Sequence, residues 1–582
     1  MLKYIILFLM FCYFLREKKE KKQKQKLKVN TNNFVRKSID RDRFSIKKIP
    51  ENIDTIIIGS GISGLTLGGL LSKMGQRILV LEQHYVAGGC MHTFIDDGIE
   101  HETGIHYIGN IDKRRKILDL ITEEKVEWCK MGKNNDYVYD EIIINNKIYK
   151  FKAGEKNFIN TLTEYFPNEG SNIKKYIDLV KKVSNEDLFF KLKIVDSIIL
   201  KYILKYFISN DYKKYTNISA YDVISNLTDN KELIAVLCGQ FGDYGISPKK
   251  VNFYIHASIV NHYLDGGYYP KGGPSEITKN IIPIIENNGG RVLVGKRVNK
   301  ILINNKTAYG IEMENGVKIF AKNIVSSIGV SNTFRNLTRD YSLVEYNIFK
   351  KYYDLIDKIG YSTSFIYLFV NLKGNAKDLE IRDSNLWILP NNNLEKFIDN
   401  YLENYMDNPI PMFISSSYAK DSSKLLEENC NVTIVCMAKN EWFKQWKDQK
   451  YTKRDGTYIE LKEYFAYRLL NEGLFKYYPK TKGNVLKYQV GTPLSNNFYL
   501  GVQNGEAYGL NSSNYRFTHG HALKPKTNIK NLYLTGQDIC TLGFTGALMS
   551  GVLTANSMLG YGSLFNIMCG KNLINDIEKL ST

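Results

Sequence analysis

The sequence is poor in cysteine, carries no metal-ligand spacing and keeps much of its positive charge out of the body of the chain. Its eight cysteines, Cys12, Cys90, Cys129, Cys238, Cys430, Cys436, Cys540 and Cys569, are too sparse in 582 residues for a disulfide scaffold. No CxxC pair is present to suggest zinc or thioredoxin-type chemistry. His84, His92 and His101 do not fall into a ligand pattern, so no metal is expected. No internal repeat is visible. The net charge is +19, but residues 16–50 hold fourteen Lys or Arg against four Asp or Glu, so about half of it lies in a tail. A nucleic-acid partner needs basic residues spread over a folded face, and that class is set aside. What remains is a globular composition, 43% hydrophobic and 24% charged, long enough for more than one domain.

Residues 4–15, YIILFLMFCYFL, form an apolar run shorter than the roughly 20 residues of a spanning helix. A basic cluster, REKKEKKQKQKLK, follows at 16–28 without a small-residue cleavage site. The expectation is a retained signal anchor on the endoplasmic reticulum membrane, with the cluster and the body of the chain on the cytosolic side. The alternative is a cleaved signal sequence. It would leave the body lumenal, with NxS/T sequons such as Asn217, Asn226, Asn336 and Asn431 open to glycosylation.

Past a linker at 29–50 comes a strand–turn–helix–strand unit. TIIIG (55–59) is a β-branched run suited to a parallel strand buried on both faces. Gly59-Ser60-Gly61-Ile62-Ser63-Gly64 then opens a helix, and a second strand, RILVLE, ends at Glu82. Gly59 permits the tight turn, Gly61 lets backbone approach a pyrophosphate, and Gly64 lets helix and strand pack closely. A pyrophosphate there meets free N–H groups and the positive end of the helix dipole. Glu82 is placed to accept bonds from adenosine ribose hydroxyls, and its charge opposes a 2′-phosphate. At the other end of the chain NLYLTGQD (531–538) reads as a strand, and Gly543-Phe544-Thr545-Gly546-Ala547-Leu548 opens an apolar helix. Its first N–H groups can stabilise negative charge on a ligand in front of them.

After Glu82 comes Gly88-Gly89 in EQHYVAGGCMHTF. With this segment the sequence resembles the FAD-dependent amine oxidase and phytoene desaturase superfamily, in which such a double glycine passes close to the FAD. More narrowly it resembles the retinol saturase and carotenoid isomerase branch. GIEHETGIHYIG (98–109), CGQFGDYGISP (238–248), HYLDGGYYPKGGPSEI (262–277), GTPLSNNFYL (491–500) and NLYLTGQDICTLGFTGAL (531–548) carry the resemblance over nearly all of the chain after residue 50. Amine oxidases usually carry Arg after the double glycine. This chain has Cys90.

The resemblance implies an α/β fold, a discontinuous Rossmann-like FAD-binding domain with an inserted α+β substrate domain. The former takes 51–110, 285–340 and 525–582, the latter 111–284 and 341–524. It implies FAD contacts from Gly59, Ser60, Gly61, Ser63, Gly64, Glu82, Gln83, Gly88, Gly89, Met91, Val298, Gly536, Asp538, Gly546, Ala547 and Leu548. Val298, in RVLVGKRVNKILIN (291–304), would pair its backbone with the adenine. The implied reaction is saturation of one double bond of a retinoid or related polyene. Carotenoid cis–trans isomerisation and a non-catalytic prenyl-protein escort are the alternatives. The flavin supplies a hydride, and the protein orients the substrate and supplies a proton. His106, Tyr107 and Tyr269, with Glu102 and Lys271, are the candidate proton donors, and NADH or NADPH a transient electron donor. Phe241, Tyr244, Tyr263, Tyr268, Tyr269, Phe498 and Tyr499 are candidates for an apolar lining. The stretch 186–208 is a candidate membrane-interface segment.

Overall fold

A computed structural model describes residues 38–560 except 133–135, 186–189, 191, 196–200, 204, 205, 207 and 339–342. The apolar run 4–15, the basic cluster 16–28, much of 186–208 and the end of the chain from 561 lie outside the described residues.

The β-branched run folds as β1 (Thr55–Ile58), with all four residues buried. It leads into α1 (Ile62–Lys73) and β2 (Ile78–Leu81). β3 (Arg291–Leu293), β4 (Asn323–Ser326) and β5 (Leu532–Leu534) complete a five-stranded sheet of order β3-β2-β1-β4-β5. Every pair is parallel, with Thr55 facing Ile78 on one side and Asn323 on the other. Such a sheet needs cover on both faces, which explains its unbroken Ile, Leu and Val runs. On one face Ile57, Val80 and Val325 pack with Leu65 and Leu67 of α1, and with Leu548 and Val552 of α2 (Gly543–Leu559). α1 and α2 touch backbone to backbone. A Cβ at Gly551 would stand 2.7 Å from the Ser63 carbonyl oxygen, so only glycine allows the crossing.

The second layer is a seven-stranded mixed sheet. Its order is Val485–Gly491, Ser364–Lys373, Asn429–Ala438, Met412–Ser415, Asn385–Leu389, Val138–Ile144 and Lys147–Lys152. Residues on both sides of the nucleotide unit therefore share one sheet, joined by the parallel pairing of Asp140 with Asn385. Helices Glu155–Tyr165, Gly170–Ser184 and Phe253–Tyr263 pack beside it in a core rich in Tyr, Phe and Ile.

Several elements depart from the expected arrangement. The run 291–304 divides between two sheets. Gly295, at φ +75, ends β3 and turns the chain into an antiparallel hairpin that begins with Val298–Asn304. Helices Ile111–Thr122 and Ser275–Asn287 pack on the β1 sheet through Ile117, Ile121, Ile281 and Ile285, although 111–284 is expected in the substrate domain. Among the described residues no helix is long and apolar enough to cross a membrane.

A dinucleotide cradle opening into an apolar cavity

The turn after β1 is built by glycine. Gly59 has φ +97, and a Cβ there would meet Ile328 Cγ2 at 2.8 Å. A Cβ at Gly64 would stand 2.3 Å from the Gly59 oxygen, so α1 could not sit on β1. Gly61 differs from both. It is the N-cap of α1 at an ordinary φ of −63, and a Cβ there meets nothing within 4 Å. Nothing inside the protein requires glycine at 61, and the open space belongs to the cavity in front of the helix.

Glu82 is held as an acceptor. One oxygen takes Ser60 N–H at 3.0 Å and the Ser60 hydroxyl at 2.8 Å, and the other takes His84 N–H at 2.9 Å. Ser60 Oγ accepts Gly88 N–H at 3.0 Å, which ties the double glycine to the first turn. His84 Nδ1 accepts Val86 N–H at 3.1 Å, and the His92 ring sits 2.6 Å from the Gly89 oxygen. Burial lowers both imidazoles to about 4, so both are neutral at pH 7.

One cavity of about 660 Å³ runs from this cradle to the seven-stranded sheet. Gly59, Gly61, Ser63, Glu82, Gln83, Gly88, Gly89, Met91, Val298, Gly536, Asp538, Gly546 and Ala547 line its near end. Ser60 stands behind the wall, Gly64 in the α1–β1 contact and Leu548 in the core. Both Asp538 oxygens are taken by backbone, one by Val330 N–H at 2.8 Å and one by Leu510 N–H at 2.9 Å. Asp538 therefore joins three loops under the cavity. Arg297 and Thr545 also line this end, and Thr545 Oγ1, in the first turn of α2, is buried without a hydrogen-bond partner among the described residues. A polar atom in that position asks for a ligand acceptor or donor.

The far end is aromatic. Phe241 and Tyr263 line it as expected, together with Phe365, Tyr367, Trp387, Phe413 and Tyr508, whereas Tyr499 lines the cradle end, its ring 5.1 Å from that of His84. Tyr244, Tyr268 and Phe498 are not on its wall. His106 and Tyr107 face the cavity, whereas the other three proton-donor candidates do not. Tyr269 is buried behind the wall, its hydroxyl directed at Ser417. Lys271 is on the surface, paired with Glu127 at 2.8 Å. Glu102 lies behind His106, with its carboxylate 3.2 Å from Nδ1. Burial works to raise the Glu102 carboxyl, but the bond from His106 and the charges of His106 and Lys420 hold it below its usual value.

Behind His106 and Tyr107 lies a polar network that sequence reading missed. Tyr107 OH is 3.0 Å from Asp140 Oδ2 and 3.4 Å from Asp243 Oδ2. Asp140 also accepts from Gln240 Nε2 at 2.7 Å and Asn385 Nδ2 at 2.9 Å. Burial pushes its carboxyl up to about 6 against those three bonds. Lys420 Nζ donates to the His106 carbonyl at 2.9 Å and to Asn385 Oδ1 at 2.6 Å. Burial lowers its ammonium to about 8. Asp243 is half-buried and faces the cavity, and desolvation and the charge of Asp140 raise its carboxyl well above the carboxylate range.

Residues 57–123 match the description of an NAD(P)-binding Rossmann-like domain. The chain is 36% identical over 540 residues to the all-trans-retinol 13,14-reductase of Danio rerio, covering 89% of this chain and 87% of that protein. It is 25% identical over 521 residues to the chloroplastic prolycopene isomerase of Daucus carota, covering 86% and 79%. A solved putrescine oxidase superposes with a TM-score of 0.57 at 12% identity, covering 87% of this chain and 99% of that one, a likeness of fold alone. At the identity and coverage of the first of these, the chain belongs to the all-trans-retinol 13,14-reductase family of oxidoreductases.

Proposed function

We propose that this protein is an FAD-dependent reductase that saturates one double bond of retinol or a related polyene. One observation carries the reading: a single cavity has a glycine cradle at one end and an aromatic, largely apolar wall at the other. The residues present fit FAD. Gly61 leaves open the space that a pyrophosphate needs, Glu82 holds acceptor oxygens where ribose hydroxyls arrive, and Thr545 presents an unpartnered hydroxyl at the start of α2. Bound and reduced, FAD supplies a hydride. The protein's own residues do the rest. The N-termini of α1 and α2 favour negative charge on the pyrophosphate and the flavin, and Val298 presents backbone to the adenine. Phe365, Tyr367, Trp387 and Phe413 exclude water and hold a flat, apolar chain. His106 and Tyr107 keep polar hydrogens at the wall. NADH or NADPH serves as the transient electron donor.

Isomerisation without net reduction is the second reading, favoured by the likeness to prolycopene isomerase. The two differ in product mass. We place the protein at the endoplasmic reticulum membrane, on the basis of the apolar run 4–15 and the basic cluster after it. The purified protein should show flavin absorbance. A preparation that is colourless, and stays so after incubation with FAD, overturns the cofactor assignment.

A further inference from the structure

The wall of the cavity contains a pair of carboxyl groups, Asp140 and Asp243, that share one phenol. Tyr107 lies between them, and its single hydroxyl hydrogen can satisfy only one. Asp140 has two further donors, Gln240 and Asn385, with Lys420 beyond Asn385. Among the described residues Asp243 has no side-chain donor other than Tyr107. Two carboxylates that meet the same phenol hydroxyl disfavour each other's ionisation, and the proton goes to the one with fewer donors. Asp140 is therefore the anion, Tyr107 donates to it, and a protonated Asp243 can donate to the Tyr107 oxygen. Asp140 has no face on the cavity, whereas Asp243 does.

We propose that Asp243 is the general acid that protonates the substrate carbon. This rests on the saturase reading above. The Asp243 O–H bond breaks and a C–H bond forms at one alkene carbon, while the other carbon receives the hydride of the reduced flavin. The π pair is consumed, the flavin is left oxidised and Asp243 is left as carboxylate. Tyr107 then donates to Asp243, which offsets the charge until solvent restores the proton after product leaves. Asp140 and Lys420 act through Tyr107 and Asn385 as positioning residues. The titratable groups around Asp243 are Tyr107, Tyr244, Tyr263, Tyr508 and Asp140, and among the described residues no cation contacts it directly.

The test uses purified holoprotein of the wild type and of Asp243→Asn and Asp243→Glu. Infrared difference spectra at pH 7, wild type minus Asp243→Asn, should show one protonated-carboxyl band. In rapid single turnovers with retinol, Asp243→Asn should bind FAD normally but react on the order of 10²–10⁴ times more slowly. Asp243→Glu should recover part of that loss. The wild-type rate should be flat near neutrality and fall at alkaline pH, where Asp243 ionises, and the residual rate of Asp243→Asn should lack that fall. Absence of the infrared band, or wild-type turnover by Asp243→Asn, overturns the proposal while leaving the saturase reading intact. A wild-type holoprotein that yields no hydrogenated product from any polyene overturns both.

Discussion

Gly61→Val separates a ligand's demand for glycine from the fold's. At Gly61 φ is −63 and a Cβ meets nothing within 4 Å, so the backbone and the nearest space accept a side chain. Losing glycine at a helix N-cap costs about 1 kcal/mol. Reduced chain entropy returns roughly 0.4–1 kcal/mol of that. The apoprotein should therefore melt within about 2 °C of wild type. Binding should change far more. A side chain between helix and pyrophosphate breaks charge-assisted N–H bonds worth about 1.5–3 kcal/mol each. Two such bonds correspond to a Kd weaker by about 10²–10⁴-fold. The assay is titration of stripped apoprotein with FAD, followed by flavin fluorescence, with thermal melting alongside. Gly64→Ala is the contrast: its Cβ would lie 2.3 Å from the Gly59 oxygen, so stability and binding should fall together. If Gly61→Val binds FAD within about threefold of wild type, no pyrophosphate lies over that residue and the cradle reading fails.

Lys420→Met should destabilise the fold by about 3–5 kcal/mol, because Glu102 and Asp140 stay buried without that cation; denaturant unfolding with and without the substitution measures it. His92 has a folded-state value near 4 against 6.5 when exposed, so the stability it confers is full above pH 6.5 and is lost as pH falls to about 4. The shift corresponds to about 3 kcal/mol, and His92→Gln should show a flatter melting temperature over that pH window. Deletion of residues 1–28 should release much of the protein into the soluble fraction, and persistent membrane binding would place the anchor elsewhere on the body. Glycan on Asn217, Asn226 or Asn336 of the native protein would contradict the cytosolic placement. Asn431, buried and bonded to the Glu100 carbonyl at 2.8 Å, is not open to modification in the folded state.

The cradle was legible because its parts are consecutive. Gly59, Gly61, Gly64 and Glu82 sit on one strand–helix–strand unit, where spacing alone sets the geometry. The proton network was not legible, because Asp140, Asp243, Asn385 and Lys420 come from separate segments that only the seven-stranded sheet brings together. Tyr269 and Lys271 were misplaced for a related reason. Neither face of the strand Gly267–Pro270 meets the cavity: Tyr268 is bonded to Asp112, Tyr269 to Ser417, and Lys271 after it to Glu127. Asp538 lines the cavity, but its commitment to Val330 and Leu510 depends on two distant loops. The division of 291–304 rests on the positive φ of Gly295, which a continuous apolar pattern conceals.

The central claim is net reduction of a polyene at this cavity, and product mass tests it most directly. Flavin-loaded protein, reduced and incubated anaerobically with retinol and, separately, with carotenoids, should yield a product heavier than its substrate by two hydrogens. A product of unchanged mass and altered double-bond geometry would contradict the account and establish isomerisation in its place.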